Sequence, residues 1–193
     1  VIELAATRDV DSSNTCTISA PAAGGGEVSR AEVSIRDITR CPFSFADVVQ
    51  CYAASWRSSH GFFPPERVAA FTGDAAASIL TDLLAKGGRI WVADVDSMPA
   101  GIVALVGEEI SKLYVHPDAQ NLGIGSKLLA YASAHCHTPR LHVLTINLGA
   151  QRLYFRHGFR FTGNRRPFFE RIMELEMIGP AHSGKVPLAT IGH

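Results

Sequence analysis

The stretch ISKLYVHPDAQNLGIGSKLL, residues 110–129, does most to restrict what this chain can become. An apolar run, Leu113-Tyr114-Val115, ends at His116-Pro117, and an amphipathic run opens at Ser126. Between them lie a glutamine and two glycines, in Gln120-Asn121-Leu122-Gly123-Ile124-Gly125. The order predicts a strand, a glycine-bearing turn and the start of a helix. The first N–H groups of a helix lack intrahelical acceptors and sit at the positive end of its dipole. Glycine removes the Cβ that would hold a phosphate away from them. The segment is suited to an anion, and a phosphate is the expected one.

Spacing narrows the kind of phosphate site. A P-loop needs G-x-x-x-x-G-K-[ST], and a dinucleotide fingerprint needs G-x-G-x-x-G with an acidic residue about 20 positions on. Gly123 and Gly125 are followed by Ser126-Lys127-Leu128, which meets neither. What is left is Q-x-x-G-x-G behind a strand of the form L-Y-V-x-P. A second pattern stands downstream. LHVLTIN, residues 141–147, is rich in β-branched and aliphatic residues and reads as a buried strand ending in Asn147. NLGAQRLYFRHGF then reads as a helix. Ala150, Leu153, Tyr154 and His157 recur at helical spacing, and Gly158 takes the left-handed position that ends it.

Together, Q-x-x-G-x-G from Gln120 and N-x-x-A-x-x-x-Y-x-x-x-G-F from Asn147 resemble the two signature segments of the GNAT superfamily of N-acetyltransferases. The motifs cover about a third of the chain, and the remainder is similar in layout. The resemblance implies an α/β fold with a mixed, mostly antiparallel central sheet and helices on both faces. It implies that the strands ending at Val115 and Asn147 run parallel and splay apart, so that the pantetheine arm of acetyl-CoA enters between them. The N–H groups of Gln120, Asn121, Leu122, Gly123, Ile124, Gly125 and Ser126 would then hold the pyrophosphate. Backbone groups of Leu113, Tyr114 and Val115 would bind the pantetheine and polarise the thioester carbonyl. Asn147 would meet the pantetheine amides, with Ala150 and Tyr154 completing that side of the site.

The rest of the sequence sets bounds. A length of 193 residues, 47% hydrophobic and 19% charged, suits one globular domain with a sizeable core. Eighteen basic and eighteen acidic residues give no net charge, which argues against a nucleic-acid or polybasic membrane surface. Arginines 152, 156, 160, 165, 166 and 171 are a local exception, read as a solvated helix face and loop. Cys16, Cys41, Cys51 and Cys136 show no C-x-x-C spacing, so neither a disulfide framework nor zinc is suggested. His135-Cys136-His137 points its side chains in different directions on a helix end, so no metal is expected. With no signal peptide and no long apolar run, the expected location is cytoplasmic. A homodimer is left open.

Residues 1–30, rich in small residues and opening on Val1, read as a flexible extension and a processed or trimmed start. Residues 31–178 read as the acetyltransferase domain, and 179–193 as a tail. Within the domain, EVSIRDIT is a strand and Ser44 with Asp47 opens a helix by a capping box. Two further helices stop at Gly87-Gly88. Three strands in a meander follow, RIWVADV, AGIVALVG and EEISKLYV, with a turn over Asp96–Pro99. RIMELEM alternates as a last, half-exposed strand.

If acetyl-CoA is the donor, transfer to an amine poses two proton problems. An alkyl amine of pKa about 10.4 must lose a proton at pH 7, which costs roughly 4–5 kcal/mol. A carboxylate, alone or through water, is the expected base. Glu109 stands six positions before Val115, nominally on its face, and the resemblance favours that position. A bulge would reverse the choice towards Glu108. The departing thiolate needs a donor, and Tyr154 is placed for it. A phenol near 10 against a thiol near 8.5 makes full transfer uphill by about 2 kcal/mol, so a hydrogen bond to sulfur is the expected role. Trp56, His60 and Phe63, with Phe62 and Phe168, are the expected acceptor wall. A small-molecule primary amine is the first expectation, with a peptide N-terminus or lysine side chain next. A binding module without turnover is the competing reading.

Overall fold

The computed structural model describes residues 16–17 and 32–181; most of the expected extension and the tail from residue 182 lie outside the described residues. In chain order the elements are β1 (Cys16–Thr17), β2 (Glu32–Asp37), α1 (Phe45–Ser59), α2 (Pro65–Ala69), α3 (Gly73–Ala85), β3 (Arg89–Val95), β4 (Met98–Val106) and β5 (Glu109–Val115). After a 3-10 turn at Pro117–Ala119 come α4 (Ile124–Ser133), β6 (Arg140–Leu144), α5 (Leu148–Arg156), β7 (Arg160–Phe169) and β8 (Ile172–Ile178). The strands form one mixed sheet in the order β1-β2-β3-β4-β5-β6-β8-β7. Every neighbouring pair is antiparallel except β5 with β6.

Local chemistry explains the elements. Ser44 Oγ accepts the Asp47 N–H at 3.2 Å while Asp47 accepts the Ser44 N–H at 2.9 Å, so the expected capping box opens α1. The helix buries Val48, Val49 and Tyr52. Asp96 and Ser97 both have positive φ, the signature of a two-residue primed hairpin turn. Met98 and Pro99 therefore belong to β4, and the turn is shorter than the sequence suggested. Gly158 has φ +82°, the expected left-handed end of α5.

Alternation sends side chains to two cores, one on each face of the sheet. Ile90, Val92, Ile102, Ala104 and Tyr114 pack against Val48, Val49, Tyr52 and Leu80 of α1 and α3. On the other face Trp91, Val103, Leu113 and Val115 pack against Leu128 and Leu129 of α4 and Leu153 and Tyr154 of α5. Two boundaries differ from expectation. The helix α4 begins at Ile124 rather than Ser126, placing Gly125 inside its first turn. Strand β6 stops at Leu144, three residues early, because Gln151 Nε2 reaches back to the Leu144 and Thr145 carbonyls at 3.0 and 3.1 Å and ties off its end.

The parallel pair is the feature that positions the site. β5 and β6 are registered only at Glu109 with Arg140, where the Arg140 N–H donates to the Glu108 carbonyl at 2.8 Å. Beyond that point they part, as the resemblance implied.

Candidate functional site

The parting leaves one edge of β5 without a ladder. His116 N–H donates to Ala100 O at 2.8 Å, which fixes the alternation along the end of the strand. Even-numbered residues turn their N–H and C=O groups towards β4, and Leu113 and Val115 turn theirs into the gap. Tyr114, expected with them from the sequence, does not join them: its backbone groups face β4, opposite Ile102. Its ring goes to the other face, edge-on to Tyr52 at 5.1 Å.

At the mouth of the gap stands the glycine turn. Gly123 is the N-cap of α4 at φ +76°, and no side chain caps the helix. Asn121 is also left-handed, at φ +62°. The Gly123 carbonyl receives the Lys127 N–H, so the amides of Ile124, Gly125 and Ser126 are the orphan donors of the first turn. Gln120 Nε2 is buried beside this turn without a partner. Leu122 packs against the core and offers the cradle only its backbone. His157 Nε2 lies 3.1 Å from Ser126 Oγ, tying α5 to the same turn, a link the sequence did not suggest. Burial and the neighbouring Arg156 hold the His157 imidazole below its usual pKa.

Tyr154 comes from α5 and is fully buried, yet its hydroxyl has no hydrogen-bond partner. Burial pushes the phenol well above its ordinary pKa. Two neighbours, Asn147 and Ala150, lie differently from the sequence expectation. Asn147 lies beyond the strand as the N-cap of α5, and its Oδ1 accepts the Ala150 N–H at 2.9 Å. That bond uses the acceptor end of the Asn147 amide. It also occupies the Ala150 N–H, and Ala150 is itself buried in the core.

On the opposite face a cavity of about 340 Å³ lies between α1, the loop after it, β5 and β8. Trp56, His60, Phe63 and Phe168 line it, together with Glu109, Lys112, His142, Arg166 and Glu174. The Trp56 indole is stacked at 4.0 Å on His60 and at 4.0 Å on Phe71. Two rings cannot share one face at that spacing, so both faces of Trp56 are taken and it meets the cavity by its edge. Phe63 continues the column, with the exposed Arg67 guanidinium 4.4 Å over its ring. The opposite wall is charged: Arg166 pairs with Glu174 at 2.5 Å. Arg166 stays exposed, as read from the sequence, while its guanidinium reaches Glu174, and Arg152 and Arg156 stay on the exposed side of α5.

Glu109 and Glu108 separate by a bulge. Leu105 is registered with Ile110 and Ala104 with Lys112, leaving Ser111 as an extra residue on β5. The bulge puts Ile110 on the face of Leu113 and Val115, and Glu109 on the face of Lys112 and Tyr114. The expectation that Glu109 shares the face of Val115 is therefore overturned. The cavity lies on the Tyr114 face, however, so Glu109 still lines it. Glu108 is exposed and accepts the Thr138 N–H away from the cavity.

His60 is fully buried, with Nδ1 2.7 Å from the Trp56 carbonyl. That contact requires Nδ1–H, so Nε2 carries a bare lone pair, and it is buried without a partner. Burial lowers the imidazole pKa from 6.5 to about 4. The unfolded chain takes up this proton first as pH falls, so stability is full above about 6.5 and is lost between there and about 4. The loss is about 3 kcal/mol from this group. His60→Asn should flatten that interval in urea-unfolding midpoints measured from pH 7 to 4; an unchanged slope would count against the assignment.

A mixed sheet with helices on both faces, one splayed parallel pair, and an amide cradle at its mouth define a GNAT-type fold. Residues 86–161 match the family model of the acetyltransferase (GNAT) domain. It is similar to the peptidyl-lysine N-acetyltransferase YjaB of Salmonella typhimurium, with 33% identity over 86 residues, 44% of this chain. The match spans 59% of that relative's length. Among solved structures, the apo form of YjaB from Escherichia coli superposes with a TM-score of 0.54 at 22% identity, covering 78% of this chain and 99% of that one. PaiA N-acetyltransferase from Thermoplasma acidophilum, in complex with coenzyme A, gives 0.55 at 18% identity, over 75% of this chain and 97% of that one. No helix among the described residues is long and apolar enough to cross a membrane, and none of their His, Cys, Asp or Glu side chains group to hold a metal.

Proposed function

We propose that the protein is an N-acetyltransferase that uses acetyl-CoA and transfers acetyl directly to a primary amine. The observation that carries this is the parting of β5 from β6, which frees the Leu113 and Val115 backbone groups in the same core cluster as Tyr154, whose hydroxyl has no partner. The residues fit the cosubstrate on a second count as well. The Gln120 side-chain amide is buried and unpartnered next to the orphan amides of α4. Bound there, acetyl-CoA would supply an acyl group activated as a thioester.

The chain's own groups have separable duties. Ile124, Gly125 and Ser126 amides would hold the pyrophosphate, with the Asn147 amide donor facing the pantetheine. Leu113 or Val115 N–H would polarise the thioester carbonyl. Tyr154 would donate to the sulfur. The aromatic column and the Glu109 wall would align the amine, which accounts for much of any rate gain. Glu109, rather than Glu108, is the carboxylate that governs loss of the amine proton. Cys41, Cys51 and Cys136 stand outside this chemistry as free thiols, which supports direct transfer and a cytoplasmic location.

The acceptor is an alkyl amine presented at the cavity. A small-molecule amine fits its limited volume, and the similarity to a peptidyl-lysine acetyltransferase supports a lysine side chain reaching the same point. Thiol release from acetyl-CoA should be measured across a panel of small amines and lysine-bearing and free-N-terminal peptides. Release with one acceptor class is the expected result and names that class. Thermal protection by acetyl-CoA with no release on any acceptor would establish a binding module instead.

A further inference from the structure

Glu109 has a neighbour from the adjacent parallel strand. His142, from β6, brings Nδ1 to 3.3 Å from Glu109 Oε1, and both side chains line the acceptor cavity. The contact follows from the sheet. Arg140 is registered with Glu109, and two residues on, His142 returns to the same face of β6 as the strands begin to part. We propose that His142 is the base that meets the acceptor amine, and that Glu109 is the positioning residue behind it. The proposal rests on the acetyltransferase reading.

Geometry supports this order of roles. A carboxylate facing Nδ1 at this distance favours the tautomer with hydrogen on Nδ1, which leaves the lone pair on Nε2. His142 is partly exposed in the cavity, so that lone pair is open to an entering amine. The other charged groups on this face are committed elsewhere. Glu174 is held by Arg166, and Glu176, directly across the ladder from His142, is held by Arg140, Thr162 and Asn164. Lys112 donates to the Ser111 carbonyl; burial lowers its pKa, and the Glu109 and Glu174 carboxylates act against that shift. Glu109 is thus the carboxylate left to orient the ring and to stabilise it once protonated.

The proton balance closes without a co-reactant. An ammonium N–H bond breaks, a new N–H bond forms at His142 Nε2, and the imidazolium returns that proton to water. An imidazole is ordinarily about two pKa units nearer to an alkyl amine than a carboxylate is, which makes the transfer about 100-fold less unfavourable.

Two substitutions test it. His142→Gln should lower kcat/KM for an alkyl amine roughly 10²–10⁴-fold, the range of a lost general base. With the base gone, the rate on the alkyl amine should climb with pH in step with the free amine instead of levelling off. Glu109→Gln keeps an oxygen facing Nδ1–H and should cost less, about tenfold, the order of one neutral-for-charged hydrogen bond. An aniline, already neutral at the assay pH, should lose little in either variant. The reverse ranking, or an equal loss on aniline and alkyl amine, would overturn the proposal. If a variant does not fold, the unmodified protein decides: a rate on the alkyl amine that levels off well below the pKa of the amine itself is expected, and a rate that climbs with pH in step with the free amine sinks the idea. Failure of the acetyltransferase reading looks different, because the unmodified protein would then release no thiol with any acceptor.

Discussion

Tyr154→Phe should lower kcat for acetyl transfer roughly 10²–10⁴-fold, the range of a lost acid–base partner, and leave acetyl-CoA affinity nearly unchanged. The substitution should not weaken the fold. A core tyrosine normally satisfies its hydroxyl, because an orphaned buried donor costs about 1–3 kcal/mol. Tyr154 is fully buried, and its hydroxyl has no partner. Phenylalanine removes the unsatisfied atom and keeps the ring contact with Phe159 at 5.7 Å. The expected pattern is an equal or higher melting temperature beside a collapsed kcat. Burial raises the phenol pKa, so the hydroxyl acts as a strengthening hydrogen bond to sulfur rather than as a full proton source. Turnover measured by thiol release, with melting followed in parallel, checks both halves. An unchanged kcat would reduce Tyr154 to a packing residue.

Gly101→Val should damage both stability and rate through a residue that touches neither donor nor acceptor. A Cβ at Gly101 would stand 2.7 Å from the Tyr114 carbonyl oxygen, 3.1 Å from Leu128 Cδ1 and 3.3 Å from Val115 Cα. Two of those atoms are backbone and cannot rotate away. Strand β5 would have to move off β4 at the point where Leu113 and Val115 face the gap. Overpacking of this kind costs about 1–3 kcal/mol, and a shift near 1 Å in positioning groups costs about 10²-fold in rate. Alanine should act in the same direction with a smaller effect. Urea unfolding and kcat/KM measured together test this, and a variant with full kcat/KM would show that β5 has room to spare.

The two glycine-bearing segments were readable because their chemistry is local. A helix start near Gly123 and a left-handed end at Gly158 are both set by a few neighbouring residues. The capping box at Ser44 and Asp47 is legible for the same reason. Gly101 was legible in kind, since a glycine inside an apolar strand signals close backbone approach, but not in consequence, because its neighbours come from β5 and α4. The ends of β6 and the backbone direction of Tyr114 depend on Gln151 and on ladder alternation, which are tertiary facts. Trp56, His60 and Phe63 were expected at the acceptor wall and do line the cavity. That Trp56 has no free face follows only from where Phe71 and His60 come to rest. His142 was invisible for a simpler reason: its partner lies 33 positions away.

The extra residue at Ser111 sets the phase of strand β5. Every side chain before it is half a period out of step with those after it, so residue counting from Val115 picks the wrong face. Two adjacent acidic residues sit just upstream, and the bulge alone decides which of them looks into the cavity. Were the same residues to run without the bulge, Glu108 would take the inward place and Glu109 would turn to the face of Val115. Insertions and deletions, more than substitutions, are therefore the changes to watch when carboxylates are compared along this strand.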